Sequence, residues 1–81
     1  MKLPRDVSGR ELAGRLTRYG YVVTRQTGSH QRLTSRTKGA EHHVTIPMHT
    51  ELKIGTLSQI LSDVAAYLEI PRDELTQALF G

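Results

Sequence analysis

Residues 21–47 read YVVTRQTGSHQRLTSRTKGAEHHVTIP, and this stretch decides the fold because extended segments alternate in it with short turns. Thr27-Gly28 interrupts the first segment, and a second turn centres on Lys38-Gly39. Pro47 ends the last segment because it has no backbone N–H to donate to a strand ladder. Two short turns between three extended segments predict a three-stranded antiparallel meander. We expect its strands at residues 21–25, 30–35 and 42–46.

Side-chain alternation along these strands predicts one packed face and one open face. Successive side chains of a strand point to opposite faces of the sheet. If Leu33, Val44 and Ile46 pack inward, the side chains between them point outward. The open face is then expected to carry five polar side chains: His30, Arg32, Thr34, His43 and Thr45.

Helices are predicted on both sides of this stretch. Ser8 and Glu11 form a capping box, in which the serine accepts an early N–H and the glutamate reaches back. We expect the first helix at residues 9–19, ended by Gly20 in a left-handed conformation. The second helix follows Thr56 as its N-cap. Its predicted core-facing stripe consists of Leu57, Ile60, Leu61, Val64, Ala65 and Leu68.

A third helix is expected near the C-terminus. Pro71 suits its first turn, and Asp73 and Glu74 favour the positive end of the helix dipole. The order α-β-β-β-α-α predicts an α+β fold with the helices on one face of the sheet. A length of 81 residues, with no linker, predicts a single domain over residues 1–81.

Composition excludes several classes of protein. The chain has no cysteine, so neither a disulfide framework nor a Cys-based zinc site is expected. No apolar run approaches the roughly 20 residues that a membrane-spanning helix needs. Residues 1–10 carry charge and proline where a signal peptide has an apolar stretch. We therefore expect a cytoplasmic protein that does not bind a membrane.

Charge is distributed unevenly along the chain. Residues 1–40 hold nine Lys/Arg against two acids, whereas residues 41–81 hold two Lys/Arg against six acids. A basic half favours a polyanion, and the acidic half suggests a separate surface with another role. The alternative is that the basic side chains only solvate one face.

The turn Thr27-Gly28-Ser29-His30 is the candidate site for chemistry. A histidine can transfer protons near neutral pH, and RNA cleavage without a metal needs such transfers at the 2′-hydroxyl and at the leaving oxygen. Gly28 lets the backbone approach a substrate, and Ser29 offers a hydroxyl or an N–H to a phosphate. The predicted phosphate-binding side chains are Arg25, Arg32 and Lys38. By spacing alone, a solvated histidine beside a plain turn is the alternative.

The other three histidines suggest a zinc site that the strand geometry does not favour. His42 and His43 are adjacent on a strand and point to opposite faces, so they do not easily share one metal. We expect no metal. His43 shares the open face with His30, where a second proton carrier is one interpretation and a phosphate or partner contact is the favoured one. His49 is interpreted as a loop residue at the surface.

Three segments in register resemble one family. TGSH at 27–30, VTIPMH at 44–49 and ELKIGTL at 51–57 resemble the HicA toxins, also called YcfA-like proteins. The opening residues 3–12 are also similar to that family. The resemblance covers residues 3–68, so residues 70–81 are interpreted as a C-terminal helical extension.

The resemblance implies a fold like a double-stranded-RNA-binding domain and a metal-independent ribonuclease that cleaves mRNA without a cofactor. It implies neutralisation by a HicB-type antitoxin. The family's catalytic histidine follows a Gly-Ser pair, so that role falls on His30. Many members have a second histidine directly after it, and this chain has Gln31 there.

Two other functions remain open at this point. A non-catalytic module that binds double-stranded RNA would use the same basic face, because duplex RNA is recognised mainly through its shape, phosphates and 2′-hydroxyls. A protein-interaction domain would use the same basic side chains to bind an acidic partner. An mRNA interferase is the leading hypothesis.

Overall fold

The computed structural model describes residues 3–81, so Met1 and Lys2, which belong to the predicted domain and to its basic half, lie outside the described residues. The elements in chain order are α1 Gly9–Leu16, β1 Val22–Thr27, β2 His30–Lys38, β3 Ala40–Pro47, α2 Ile54–Leu68 and α3 Arg72–Phe80. The strands form one antiparallel sheet in the order β1-β2-β3. The predicted α+β fold and its element order are therefore confirmed.

The core lies between the helices and one face of the sheet. Leu33, Val44 and Ile46 are buried, as the alternation predicted, and so is every member of the predicted stripe on α2. Leu75 and Leu79 of α3 are also buried, so the C-terminal helix packs into the same core. Over residues 3–81, none of the helices combines the length and the apolar character that a bilayer crossing requires.

The two helix boundaries around the sheet differ from the expectation. α1 ends at Leu16, and a single 3₁₀ turn over Thr17–Tyr19 leads to Gly20, whose φ of 81° is left-handed as predicted. α2 begins at Ile54 with Lys53 as its N-cap, so the prediction of an N-cap at Thr56 is wrong.

The early start of α2 has a tertiary cause. The side chain of Leu52 is buried, and its N–H donates to the carbonyl of Val7 at 2.7 Å. This contact anchors the chain two residues before the helix, which lets Ile54 and Gly55 enter the first turn. Val7 is 45 positions away in the sequence, so no local pattern signals it.

The turn predicted at residues 36–40 is much tighter in the structure, because β2 continues to Lys38 and β3 already begins at Ala40. Gly39 carries the reversal with a φ of 91°. The hydroxyl of Tyr67, on α2, accepts the N–H of Lys38 at 3.1 Å and lies 2.5 Å from the carbonyl of Ala40. A helix side chain therefore holds the turn in place.

The N-terminus of α1 lies directly on the segment that follows β3. The N–H of Gly9 donates to the carbonyl of His49 at 3.0 Å. A Cβ placed on Gly9 would lie 2.0 Å from the carbonyl oxygen of Pro47 and 3.0 Å from the Cα of Met48. Only a residue without a side chain allows this contact between two backbones.

Gly9→Ala is therefore expected to destabilise the protein by about 1–3 kcal/mol, because backbone must move to admit the methyl group. For a domain of this size, each kcal/mol corresponds to about 4–8 °C in Tm. Gly14→Ala in the same helix is the matched control, since nothing lies within 4 Å of a Cβ there. That change should stabilise by up to about 1 kcal/mol through helix propensity. Thermal unfolding of both variants measures the difference, and equal shifts would contradict the proposed packing.

Candidate active site

The turn between β1 and β2 places His30 at the edge of the open face. Thr27 pairs with His30 across the hairpin, which leaves Gly28 and Ser29 as the loop. Gly28 has a φ of 52°, yet a Cβ built on it would meet nothing within 4 Å. The glycine is therefore required by the backbone conformation, and the space above the turn is open. The N–H of Met48 donates to the carbonyl of Ser29 at 2.6 Å and ties the turn to the end of β3.

The imidazole of His30 is exposed and nearly unengaged. Its Nδ1 lies 3.3 Å from Oγ of Ser29. Within residues 3–81, this is the one hydrogen-bond contact of the ring, so Nε2 faces solvent without a partner. A ring held on one side and free on the other can exchange a proton with a bound molecule.

Two arginines share a cleft with this histidine. A shallow cleft of about 200 Å³ is lined by Arg25, Thr27, His30, Arg32 and Thr45. The side chains come from three strands, because Arg32 pairs with Arg25 on one side and with Thr45 on the other. The structure thus brings together most of the predicted site: Arg25, Gly28, Ser29, His30 and Arg32.

A β-bulge is responsible for the position of Arg25. The register shifts between Val23 and Arg25, so Thr24 has no cross-strand partner and Arg25 pairs with Arg32. In a regular ladder from Val23, Arg25 would pair with Gln31 and share its face, which is the packed side. The extra residue moves the guanidinium to the open face.

Arg32 has an unsatisfied donor. Its side chain is partly buried, and its buried Nε has no hydrogen-bond partner among the described residues. A buried donor without a partner costs roughly 1–3 kcal/mol. Neither Arg32 nor Arg25 forms an ion pair within residues 3–81. Two neighbouring guanidinium groups without a carboxylate favour an anion between them, and a planar guanidinium fits a phosphate with two parallel bonds.

His43 lies on the same face at a distance from this cleft. It pairs with Thr34, four residues along β2 from His30, which corresponds to about 13 Å. Its Nδ1 lies 2.7 Å from Oγ1 of Thr34, and its Nε2 lies 3.5 Å from Oε1 of Glu41. Both nitrogens are engaged, and His43 does not reach a group bound at His30.

Thr34 differs in one respect from the expectation that it is exposed on the open face. The side chain points to that face as predicted, but only 1% of the residue is exposed. Its hydroxyl lies 2.8 Å from Oγ1 of Thr24, in addition to the contact with His43. These neighbours on the two adjacent strands close over Thr34, so it is not available to a ligand.

Lys38 is the predicted phosphate-binding residue that the structure separates from the site. It lies at the other end of β2 from His30, about 26 Å away along the strand. Its Nζ is 3.8 Å from the carboxylate of Glu69, and nearby Arg36 pairs with Glu41 at 2.5 Å. Acidic residues from the second half of the chain thus neutralise this end of the basic face, so the two halves do not form fully separate surfaces.

The paired histidines point to opposite faces, as predicted. Nδ1 of His42 is 2.7 Å from the hydroxyl of Tyr21, and its ring stacks on that of Tyr67 at 4.8 Å. Burial lowers the pKa of His42 and raises the pKa of Tyr21 above its usual value. Both groups are therefore neutral near pH 7, and one hydrogen bond joins the phenol to the imidazole. No group of three or more potential metal ligands occurs within residues 3–81.

Sequence reasoning missed two members of the cleft. Thr27 was assigned only to the turn, and Thr45 only to the open face, although both line the cleft with His30. The alternation placed Thr45 on the correct face, but its neighbour in space depends on the β2–β3 register. Knowledge of that register would have identified it.

Comparison with protein families shows what the chain is similar to. The family described as the HicA toxin of bacterial toxin–antitoxin systems matches residues 9–65. This range runs from the start of α1 into the last turns of α2 and includes the whole sheet. Comparisons with curated proteins and with solved structures gave no match.

Proposed function

The chain belongs to the HicA family of bacterial toxins, and from this membership we propose that it is an endoribonuclease that cleaves mRNA in the cytoplasm. The observation that carries the proposal is the cleft that joins His30 to Arg25 and Arg32. A proton-transfer group beside two unpaired cations matches what phosphodiester cleavage requires. The alternative of a solvated histidine beside a plain turn does not account for the unsatisfied Nε of Arg32.

In the proposed reaction, the 2′-oxygen of the RNA attacks the adjacent phosphorus and the bond to the 5′-oxygen breaks. The products are a 2′,3′-cyclic phosphate and a free 5′-hydroxyl. Nε2 of His30, the nitrogen without a partner, either removes the 2′-hydroxyl proton or protonates the leaving oxygen, and solvent water takes up or supplies the other proton. The other described side chains that line the cleft are arginines and threonines, which do not serve as a general base near neutral pH.

Arg32 and Arg25 are proposed to bind the scissile phosphate. Negative charge increases on the non-bridging oxygens as the phosphorane forms, and the two guanidinium groups in the cleft are proposed to stabilise that charge. The N–H and hydroxyl of Ser29, held by the conformation of Gly28, are proposed to contact the same phosphate. Because Nε of Arg32 is buried, the terminal nitrogens of its guanidinium are proposed to be the atoms that contact the phosphate.

His43 on the open face and Lys38 at the far end of β2 are proposed to contact the flanking RNA backbone. His43 and Lys38 lie about 13 and 26 Å from His30 along β2, so they reach neighbouring phosphates rather than the scissile one. A HicB-type antitoxin is proposed to cover this face. It should present acidic groups to Arg25 and Arg32, which have no ion-pair partners within residues 3–81.

Cleavage by the purified protein is expected to persist in excess EDTA, because His30 and the two arginines supply the proton transfer and the charge stabilisation. Incubation with end-labelled mRNA should give fragments that end in a 2′,3′-cyclic phosphate. Loss of activity on chelation would contradict a reaction run by these side chains alone. Binding of duplex RNA without any cleavage would favour the alternative, a non-catalytic double-stranded-RNA-binding module.

A further inference from the structure

The same hairpin carries a second cleft on its opposite side. A cleft of about 470 Å³ lies between the β1–β2 hairpin and the N-terminal end of α1. Its lining includes Gln26, Gln31, Arg10, Met48 and His49. None of these residues lines the His30 cleft, and the proposed reaction uses none of them.

The two clefts lie back to back across one layer of sheet. His30 and Gln31 are consecutive in β2, so their side chains point to opposite faces. The cross-strand pairing is consistent with these opposite faces, because Thr27 pairs with His30 whereas Gln26 pairs with Gln31. Only the hairpin tip separates the clefts, and a Cβ on Gly28 there would meet no atom within 4 Å. A flexible strand can therefore pass over the tip and enter both.

The Gln26–Gln31 pair offers a polar edge to a ligand. Nε2 of Gln31 donates to Oε1 of Gln26 at 2.7 Å, which orients both amide planes. Nε2 of Gln26 makes only a long contact, 3.5 Å, with the carbonyl of Gly28. Within residues 3–81, no donor reaches Oε1 of Gln31. The pair thus keeps for a ligand one acceptor, Oε1 of Gln31, and one weakly engaged donor, Nε2 of Gln26, and acceptors and donors are what the edge of a nucleobase displays.

The rest of the lining suits the flat face and the charge of a nucleotide. Met48 is partly buried and packs against the core, so its thioether supplies a polarizable surface. The Arg10 guanidinium is exposed, and within residues 3–81 it has no ion-pair partner. Guanidinium planes stack on unpaired bases and also bind phosphate oxygens.

We propose that the Gln26–Gln31 cleft binds an unpaired nucleobase of the RNA whose neighbouring phosphate lies at His30. This inference rests on the proposed function and deepens it, because it assigns the choice of cleavage site to the side of the hairpin that faces the helices. A base in this cleft has left any duplex, so the preferred substrate is single-stranded. Gln31, which stands where many members of the family have a second histidine, acts in sequence selection and takes no part in proton transfer.

The test measures RNA binding in the His30→Ala background, where the RNA stays intact. The probes are four short oligouridine strands that carry A, C, G or U at one central position. We expect His30→Ala to prefer one of the four strands. Adding Gln31→Leu or Gln26→Leu should reduce that preference by about 3–10-fold, the value of one neutral hydrogen bond. Gln77→Leu, an exposed glutamine on α3, is the matched control and should keep the preference.

The possible results distinguish the base-binding cleft from the nuclease proposal. Equal affinity for the four strands in the His30→Ala protein, or a preference that survives both leucine substitutions, would overturn the base-binding cleft. Mapping of RNA ends gives a second readout, because the Gln31→Leu enzyme should still cleave but with less dependence on the base beside the cut. If the unmodified protein cleaves nothing and the leucine variants still lose the binding preference, the nuclease proposal fails and the cleft stands.

Discussion

His30→Ala is expected to lower the rate of RNA cleavage by about 10²–10⁴-fold, the usual contribution of a general acid or base. The loss should appear in kcat, because the two arginines that are proposed to bind the phosphate remain in place. The variant should also fold normally. The imidazole is exposed, and its one hydrogen-bond contact within residues 3–81 is with Oγ of Ser29, so we expect a change in stability within about 0.5 kcal/mol.

Cleavage rates and induced toxicity of the parent and His30→Ala give the measurement. His43→Ala is the informative comparison, because it removes an imidazole from the same face about 13 Å away. That variant should weaken RNA binding and raise KM, with kcat little affected. A His30→Ala protein as toxic as the parent would show that another group transfers the proton. If His43→Ala lost kcat as severely as His30→Ala, the assignment of the two histidines would be reversed.

Arg32→Met is expected to separate activity from stability. Cleavage should fall by about 10²–10³-fold, the effect of removing one fixed donor that stabilises transition-state charge. Stability should stay level or increase, because the variant keeps an unbranched apolar stem and removes a buried Nε that has no partner among the described residues. If Arg32 served only in packing, Arg32→Met would show the opposite pattern, with a lower Tm and unchanged cleavage.

Arg25→Met is the control for this second expectation. Arg25 lies in the same cleft but is exposed, and it has no unsatisfied buried atom among the described residues. Its loss should weaken binding more than kcat and leave Tm unchanged. Steady-state kinetics and thermal unfolding on the two variants make the comparison. A fall in Tm for Arg32→Met beyond that for Arg25→Met would contradict a buried donor that is left unsatisfied in the folded protein.

Much of the fold follows from local patterns in the sequence. Alternation along residues 30–35 and 42–46 correctly assigns Leu33, Val44 and Ile46 to the core, and the 3.6-residue spacing assigns the stripe on α2. Element boundaries are less predictable, because the start of α2 depends on the contact of Leu52 with Val7. The turn at Gly39 depends in the same way on Tyr67 of α2.

The candidate site, like the fold, could be predicted from the sequence only in part. The predicted set treated Lys38 and His43 as neighbours of His30, because all three are close in sequence or share a face. In an extended strand, however, four residues already separate side chains by about 13 Å. The sequence also contains no signal that Arg36 and Lys38 are neutralised by Glu41 and Glu69.

Local chemistry was enough to place His30 on the open face with Arg32 and Thr45, because the two-residue period of a strand is a property of the backbone itself. The bulge that moves Arg25 beside Arg32, the unsatisfied Nε and the amide pair behind the hairpin emerged only from the folded chain. Each depends on how one strand is paired with the next. That register is selected by the total burial of the sheet against its helices, and no short segment contains that information.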